Sequence, residues 1–188
     1  FMHEMSGGRF TLGIGVSHGP SLQRMGVTPG KPLGDIRDFV TRYKATEGYG
    51  ELAPVVLAAM RPKMIQLAGE VGDGMVFANA ARSAAAKSLE NLPEACRKDP
   101  NWYIGCMTPT CISDDVEAAK AVHRKTLWRY AQLPNYRNYW KSVGYEEEMA
   151  GVEKAMADKE LEKIPHFLTD RWLADTTMFG TANQVREQ

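Results

Sequence analysis

The segment Pro54–Asn79, PVVLAAMRPKMIQLAGEVGDGMVFAN, constrains this chain more than any other. A short apolar run, Val55 to Met60, meets Pro62; a helix-length segment follows; Asp73-Gly74 breaks it; a second apolar run begins at Met75. Two short apolar runs joined by a helix lie parallel in one sheet, because only a crossover connection lets consecutive strands point the same way. Pro62 suits the first helical position, where a missing N–H costs nothing. The amides around it have no intrahelical partner and can face a ligand. A strand that ends at such an open helix N-terminus is a ready anion site.

Composition narrows the partners. The chain has 188 residues, 44% of them hydrophobic, enough for one sizeable core. Its 23 basic and 23 acidic side chains cancel, so there is no electrostatic case for nucleic acid or an anionic membrane. Small molecules and further copies of the chain, in a homo-oligomer, are the expected partners. Cys96, Cys106 and Cys111 show no C-x-x-C spacing; they read as reduced thiols, and no metal site is expected. No apolar run approaches the roughly 20 residues of a membrane helix, and FMHEMSGGRF is not a signal peptide, which points to the cytoplasm. HEMSGGRF reads as a helix end leading into a strand, and Ala182–Gln188 stops inside a helical pattern. Both termini therefore read as cuts through a larger domain.

In chain order, RFTLGIGV (Arg9–Val16) predicts a strand whose Gly13 and Gly15 suggest a backbone or flat ligand passing close by. Residues 19–34, rich in glycine and proline, read as a long loop. Asp35–Tyr43 resumes a helix, with Ile36, Phe39, Val40 and Tyr43 on one face. Within the opening segment, Met64, Ile65, Ala68 and Val71 should pack on the sheet, with Met60 and Met64 as core filler. The run from Ala80 to Pro93 is a good helix former, with Arg82 and Ser83 in its first turn. Trp102–Thr108 predicts the next strand. Ser113-Asp114-Asp115 starts a helix in which Asp114 and Glu117 have capping-box spacing, with Val116, Ala119, His123, Leu127 and Tyr130 as the buried stripe. His123 there reads as a packed helix residue, not a ligand.

From Leu133 the pattern changes. Tyr136, Tyr139, Trp140 and Tyr145 either cover a pocket or dock a helical insertion, residues 131–175, onto the body. Glu146–Glu162 reads as a charged, exposed helix, Ile164–Phe179 as a further helix, and Thr181 as the N-cap of a last one. The order is thus four strands with helical crossovers, in one α/β domain spanning residues 1–188. No G-x-G-x-x-G fingerprint follows Gly13-Ile14-Gly15, which argues against a dinucleotide-binding Rossmann fold. A (β/α) barrel would place ligand chemistry at the C-terminal ends of its strands, where Val16-Ser17-His18, Met60-Arg61, Asn79 and Thr108 fall.

Taken together, GRFTLGIGVSH, PVVLAAMRPKMIQLAGEVGDG, LPNYRNYW and FGTANQVRE resemble the luciferase-like class of flavin- and deazaflavin-dependent oxidoreductases, over most of the chain and in the same order. The resemblance implies a (β/α)8 TIM barrel, here partial: about strands 4 to 7 with their helices and the inserted helical segment. It implies coenzyme F420, a deazaflavin, as cofactor, with FMN as the alternative. The activity implied is hydride transfer between that cofactor and a small organic substrate. An FMN-dependent monooxygenase using oxygen, and a non-catalytic fragment that needs the rest of the barrel, are the rival readings. Ala59, Met60 and Arg61 match the turn that presents amides to the flavin phosphate, with Arg61 where the family usually shows glycine. Gly15, Ser17 and His18 match the strand end beside the ring; Asn79 and Thr108 match strand ends lining the pocket. His18 is the candidate proton donor or ring contact, since histidine as a residue type both gives and takes protons near neutral pH; a histidine capping the following turn is the plainer alternative.

Overall fold

Val55, Val56 and Leu57 are all buried, so the strand they form is covered on both faces. Such a strand must lie inside a sheet with layers above and below it, which is why it reads as a continuous apolar run, not an alternating one. The computed structural model describes residues 1–188 and puts this strand, β2 (Val55–Ala58), between β1 (Leu12–Ile14) and β3 (Gly74–Ala78). The three run parallel, with Ile14 beside Leu57 and Leu57 beside Met75. β4 (Tyr103–Met107) completes a four-stranded sheet in the order β1-β2-β3-β4. A doubly wound sheet reverses its order at a switch point, whereas sequential order without reversal is that of a barrel wall.

Two compact units emerge: residues 1–78 with 86–106, and residues 79–85 with 107–188. The first holds the sheet with α1 (Met2–Met5), α2 (Gly19–Arg24), α3 (Pro32–Lys44) and α4 (Pro62–Val71). Helix α4 is the crossover between β2 and β3, and it buries Ile65, Leu67 and Ala68. Each fully buried large apolar side chain contributes about 1.5–3 kcal/mol, so β2, α4 and β3 form the stable centre of this unit. Met64 and Val71, expected on that face, are only half-buried, and Leu67 takes a place on it.

The segment 19–34 is not all loop. Pro20 occupies the first turn of α2, where its lacking N–H is harmless, and the amides of Ser21 and Leu22 both reach the His18 carbonyl. The expected helix from Ala80 breaks into a 3-10 turn (Arg82–Ala84), α5 (Ala85–Leu89) and α6 (Glu94–Lys98), with Pro93 between the last two. Strand β1 keeps only the centre of Arg9–Val16.

In the second unit β5 (Thr110–Ile112) pairs in parallel with β6 (Met178–Gly180). Both strands escape sequence reasoning, because three residues show no periodicity and Met178-Phe179 reads as a helix tail. The helices are α7 (Val116–Ala131), α8 (Pro134–Ser142), α9 (Glu146–Ala157), α10 (Ile164–Phe167), α11 (Asp170–Thr176) and α12 (Ala182–Glu187). The N-cap of α7 is Asp115, whose carboxylate accepts from the Ala118 amide at 3.0 Å; the cap sits one residue later than the Asp114–Glu117 spacing suggests. Thr181 caps α12 as expected, in a capping box with Gln184. Ala119, His123 and Leu127 are buried on α7, whereas Val116 is half-buried and Tyr130 exposed. Helix α9 is not wholly exposed either, since Met149, Val152 and Ala155 face the core. That core is aromatic: Trp140 and Trp172 are fully buried and meet edge to face with centroids 4.8 Å apart. No helix is long and apolar enough to cross a membrane.

Candidate functional site

In the first unit, β1 and β2 end side by side. Register places Ile14 opposite Leu57, so Gly15 follows directly beside Ala58. A Cβ on Gly15 would lie 3.1 Å from that of Ala58, which gives the glycine a packing reason. Ser17 then adopts φ +60°, a left-handed conformation few non-glycine residues take. His18 follows as the N-terminal boundary of α2; its backbone carbonyl, not its imidazole, caps the helix. The imidazole makes no capping hydrogen bond to that helix.

At the end of β2, the buried Ala59 donates its amide to the Val76 carbonyl, and the Met60 sulfur accepts from the Ala78 amide at 3.2 Å. Met60 thus fastens the ends of β2 and β3 together, a polar role beyond core filling. Arg61 is the N-cap residue of α4 with φ −116° and ψ 154°, extended backbone open to any residue, and its guanidinium side chain is exposed. Glycine is not required there by conformation. Its carbonyl receives the Met64 and Ile65 amides, closing the first turn. The amides of Arg61 and Lys63 make no such backbone bond, as expected for the open end of a helix.

Asn79 and Thr108 belong to the second unit. Asn79 directly follows β3, is 4% exposed, and takes φ +55°. Its amide donates to the Met107 carbonyl at 3.1 Å, which sets it beside the residue preceding Thr108. Its own carbonyl accepts from the Trp140 indole Nε1 at 3.0 Å. Three non-glycine residues in the chain have positive φ, and two of them, Ser17 and Asn79, stand where strands end. Strained backbone of this kind costs about 1–3 kcal/mol and concentrates at functional positions.

Asp175 of the second unit anchors the same segment, accepting from the Ser83 amide at 2.8 Å, the Ser83 hydroxyl at 2.6 Å and the Tyr145 hydroxyl at 2.7 Å. Burial pushes its carboxyl up, but these hydrogen bonds and the nearby Arg82 charge outweigh that and hold it below the usual carboxylate range. The Tyr145 phenol moves up strongly, through burial first and the bond to Asp175 second. Arg82 donates to the Ala174 carbonyl, so it is not simply a solvated charge. Sequence reasoning missed Asp175 altogether, and its only signal for Tyr139, Trp140 and Tyr145 was their density between residues 136 and 145.

The sequence pattern of the luciferase-like monooxygenase family matches residues 1–188. The 5,10-methylenetetrahydromethanopterin reductase of Archaeoglobus fulgidus is 36% identical over 96 residues, covering 40% of this chain and 29% of that protein. Its namesake from Methanolobus tindarius is 31% identical over 144 residues, covering 64% and 44%. The chain thus matches less than half the length of either curated relative. Among solved structures, the coenzyme F420 dependent tetrahydromethanopterin reductase from Methanopyrus kandleri aligns with a TM-score of 0.67 at 15% identity, over 97% of this chain and 65% of that one. At that identity the likeness concerns the fold, and it agrees with a partial barrel.

Proposed function

This chain belongs to the luciferase-like monooxygenase family, and from that premise we propose that it serves an oxidoreductase moving a hydride between coenzyme F420 and a small organic substrate. The observation that carries this reading is the end of β2, where an extended Arg61 leads into the open N-terminus of α4. Backbone amides and an exposed guanidinium at one helix start suit a phosphate group, by charge and by directed hydrogen bonds. The two archaeal relatives named as methylenetetrahydromethanopterin reductases, and the F420-dependent enzyme with the same fold, support the deazaflavin over other cofactors.

The residues fit such a group: Arg61 has the conformation to turn its side chain outward without strain, and Gly15 and Ala59 keep the strand ends free of bulk. When bound, the deazaflavin supplies two-electron hydride chemistry. Within the first unit, Arg61 and the Lys63 amide would hold the phosphate, whereas the Ala59 amide, expected in that turn, is already donated to the Val76 carbonyl; Gly15, Ser17 and Met60 would form the strand-end surface for the ring. In the second unit, Asn79 and Thr108 stand as candidate polar contacts. His18 would give or take a proton at an imidazole nitrogen, or donate to a ring carbonyl.

The word monooxygenase in the family's description supports one second reading, which we take to be oxygen-dependent chemistry with reduced FMN. Equilibrium fluorescence titration with F420 and with FMN tests both. Micromolar binding of F420, with no oxygen consumed on reduction, is expected. Tighter FMN binding with oxygen uptake selects the second reading, and binding of neither overturns the enzyme reading.

A further inference from the structure

Between β3 and α5 the chain runs through residues 79–83, where the Asn79 amide bonds the Met107 carbonyl at the end of β4, yet the Asn79 carbonyl and the Ala81 and Ser83 amides have no strand partner, and Asn79, Ala80 and Ala81 are almost fully buried. Buried backbone polar groups must find partners, and here side chains supply them. The Asn79 carbonyl accepts from Trp140 Nε1 at 3.0 Å. The Ala81 amide donates to the Tyr139 hydroxyl at 3.1 Å. The Ser83 amide donates to the Asp175 carboxylate at 2.8 Å, and that carboxylate is itself fixed by Tyr145. The anchors fall on residues 79, 81 and 83: Asn79 is left-handed, Ala81, with φ −72° and ψ 120°, is extended, and Ser83 lies in the 3-10 turn that follows.

Resting on the function proposed above, we propose that Tyr139 and Trp140, adjacent on α8, are positioning residues that hold Asn79 in its left-handed conformation at the end of β3, and that Asp175 completes the brace. The helical segment after Leu133 thereby sets cofactor affinity through the main chain of a distant strand end, in addition to filling the core. Tyr139 and Trp140 act as hydrogen-bonding partners of the main chain that a cross-strand neighbour would otherwise satisfy. A core role alone would need their rings; the positioning role needs the phenol hydroxyl and the indole N–H.

Tyr139→Phe removes one hydroxyl and keeps the ring, so it tests the brace with little risk to folding; Trp140→Phe is the stronger but more disruptive second variant. In the full chain, hydrogen exchange followed by mass spectrometry should show faster exchange at the Ala81–Ser83 amides in Tyr139→Phe, while the peptide covering α9 keeps its protection. F420 titration should show about three- to tenfold weaker binding, the scale of one lost buried hydrogen bond. In an Asn79→Ala background the same substitution should have no further effect on affinity. Unchanged exchange at Ala81–Ser83 overturns the brace, and an undiminished loss of affinity in the Asn79→Ala background overturns its action through Asn79. If the wild-type chain binds neither F420 nor FMN, the proposed function and the cofactor-affinity claim both fall, while the exchange measurement still decides whether the brace itself exists.

Discussion

Asp73 and Val55 are tied to each other in both directions: the Asp73 amide donates to the Val55 carbonyl, and the Val55 amide donates to the Asp73 carboxylate, each at 2.8 Å. One aspartate thus joins the start of β2 to the turn that opens β3, and Lys44 from α3 pairs with its other oxygen at 2.8 Å. The residue that marks the end of a helix in the sequence is also the clasp across the βαβ unit. Asp73→Ala should destabilise the chain by about 1–3 kcal/mol, the range for losing a partner of a part-buried donor. In thermal melts that is a drop of roughly 2–4 °C per kcal/mol. Asp73→Asn keeps an acceptor and should lose less.

Arg61 decides how a phosphate is held. Its extended backbone gains nothing from glycine, so Arg61→Gly acts on the side chain alone. If the guanidinium contacts the phosphate, F420 affinity should fall about 10- to 100-fold, the scale of a charge-assisted hydrogen bond. Unchanged affinity in the titration would leave the backbone amides as the whole of the clamp.

For His18, proton transfer and ring contact separate kinetically. His18→Gln should lower kcat by about two orders of magnitude or more with the F420 dissociation constant nearly unchanged, if the imidazole carries the proton. A weaker dissociation constant with kcat retained would assign it to ring contact.

His123 links stability to pH. Burial lowers its pKa from the ordinary 6.5, partly opposed by the bond its Nε2 makes with the Met178 carbonyl at 3.1 Å. Because the folded state binds the proton less readily than the unfolded chain, this residue costs no stability above the ordinary value. Stability is lost as pH falls from 6.5 toward the lowered folded value. Melting temperatures between pH 7 and about pH 5 should therefore fall in the wild type, and fall less in His123→Gln.

Gly69 lies inside α4, where alanine would ordinarily gain about 1 kcal/mol in helix propensity. A Cβ there would lie 2.4 Å from the Cδ of Pro93, part of a rigid ring that cannot turn aside. Gly69→Ala should thus be net destabilising, by about 1–3 kcal/mol of overpacking less the propensity gain. A raised melting temperature would show that the α4–Pro93 contact relaxes freely.

The main-sheet elements that were legible in the sequence are those whose signal is local. The run PVVLAAM announces a two-face-buried strand, Pro62 a helix start and Asp73-Gly74 its stop, and the structure places β2, α4 and β3 there. Strand-end positions such as Gly15, Arg61 and Asn79 follow from that order alone. Tertiary structure decided the rest, because it depends on partners remote in the chain. Strands β5 and β6 exist through pairing across more than sixty residues, and neither segment is long enough to declare itself. Asn79 keeps a left-handed turn because Trp140 and Met107 bond its carbonyl and amide, contacts that no spacing within its own segment encodes. Hydrophobic pattern is written residue by residue, whereas the satisfaction of a buried backbone group is settled only when distant side chains meet it.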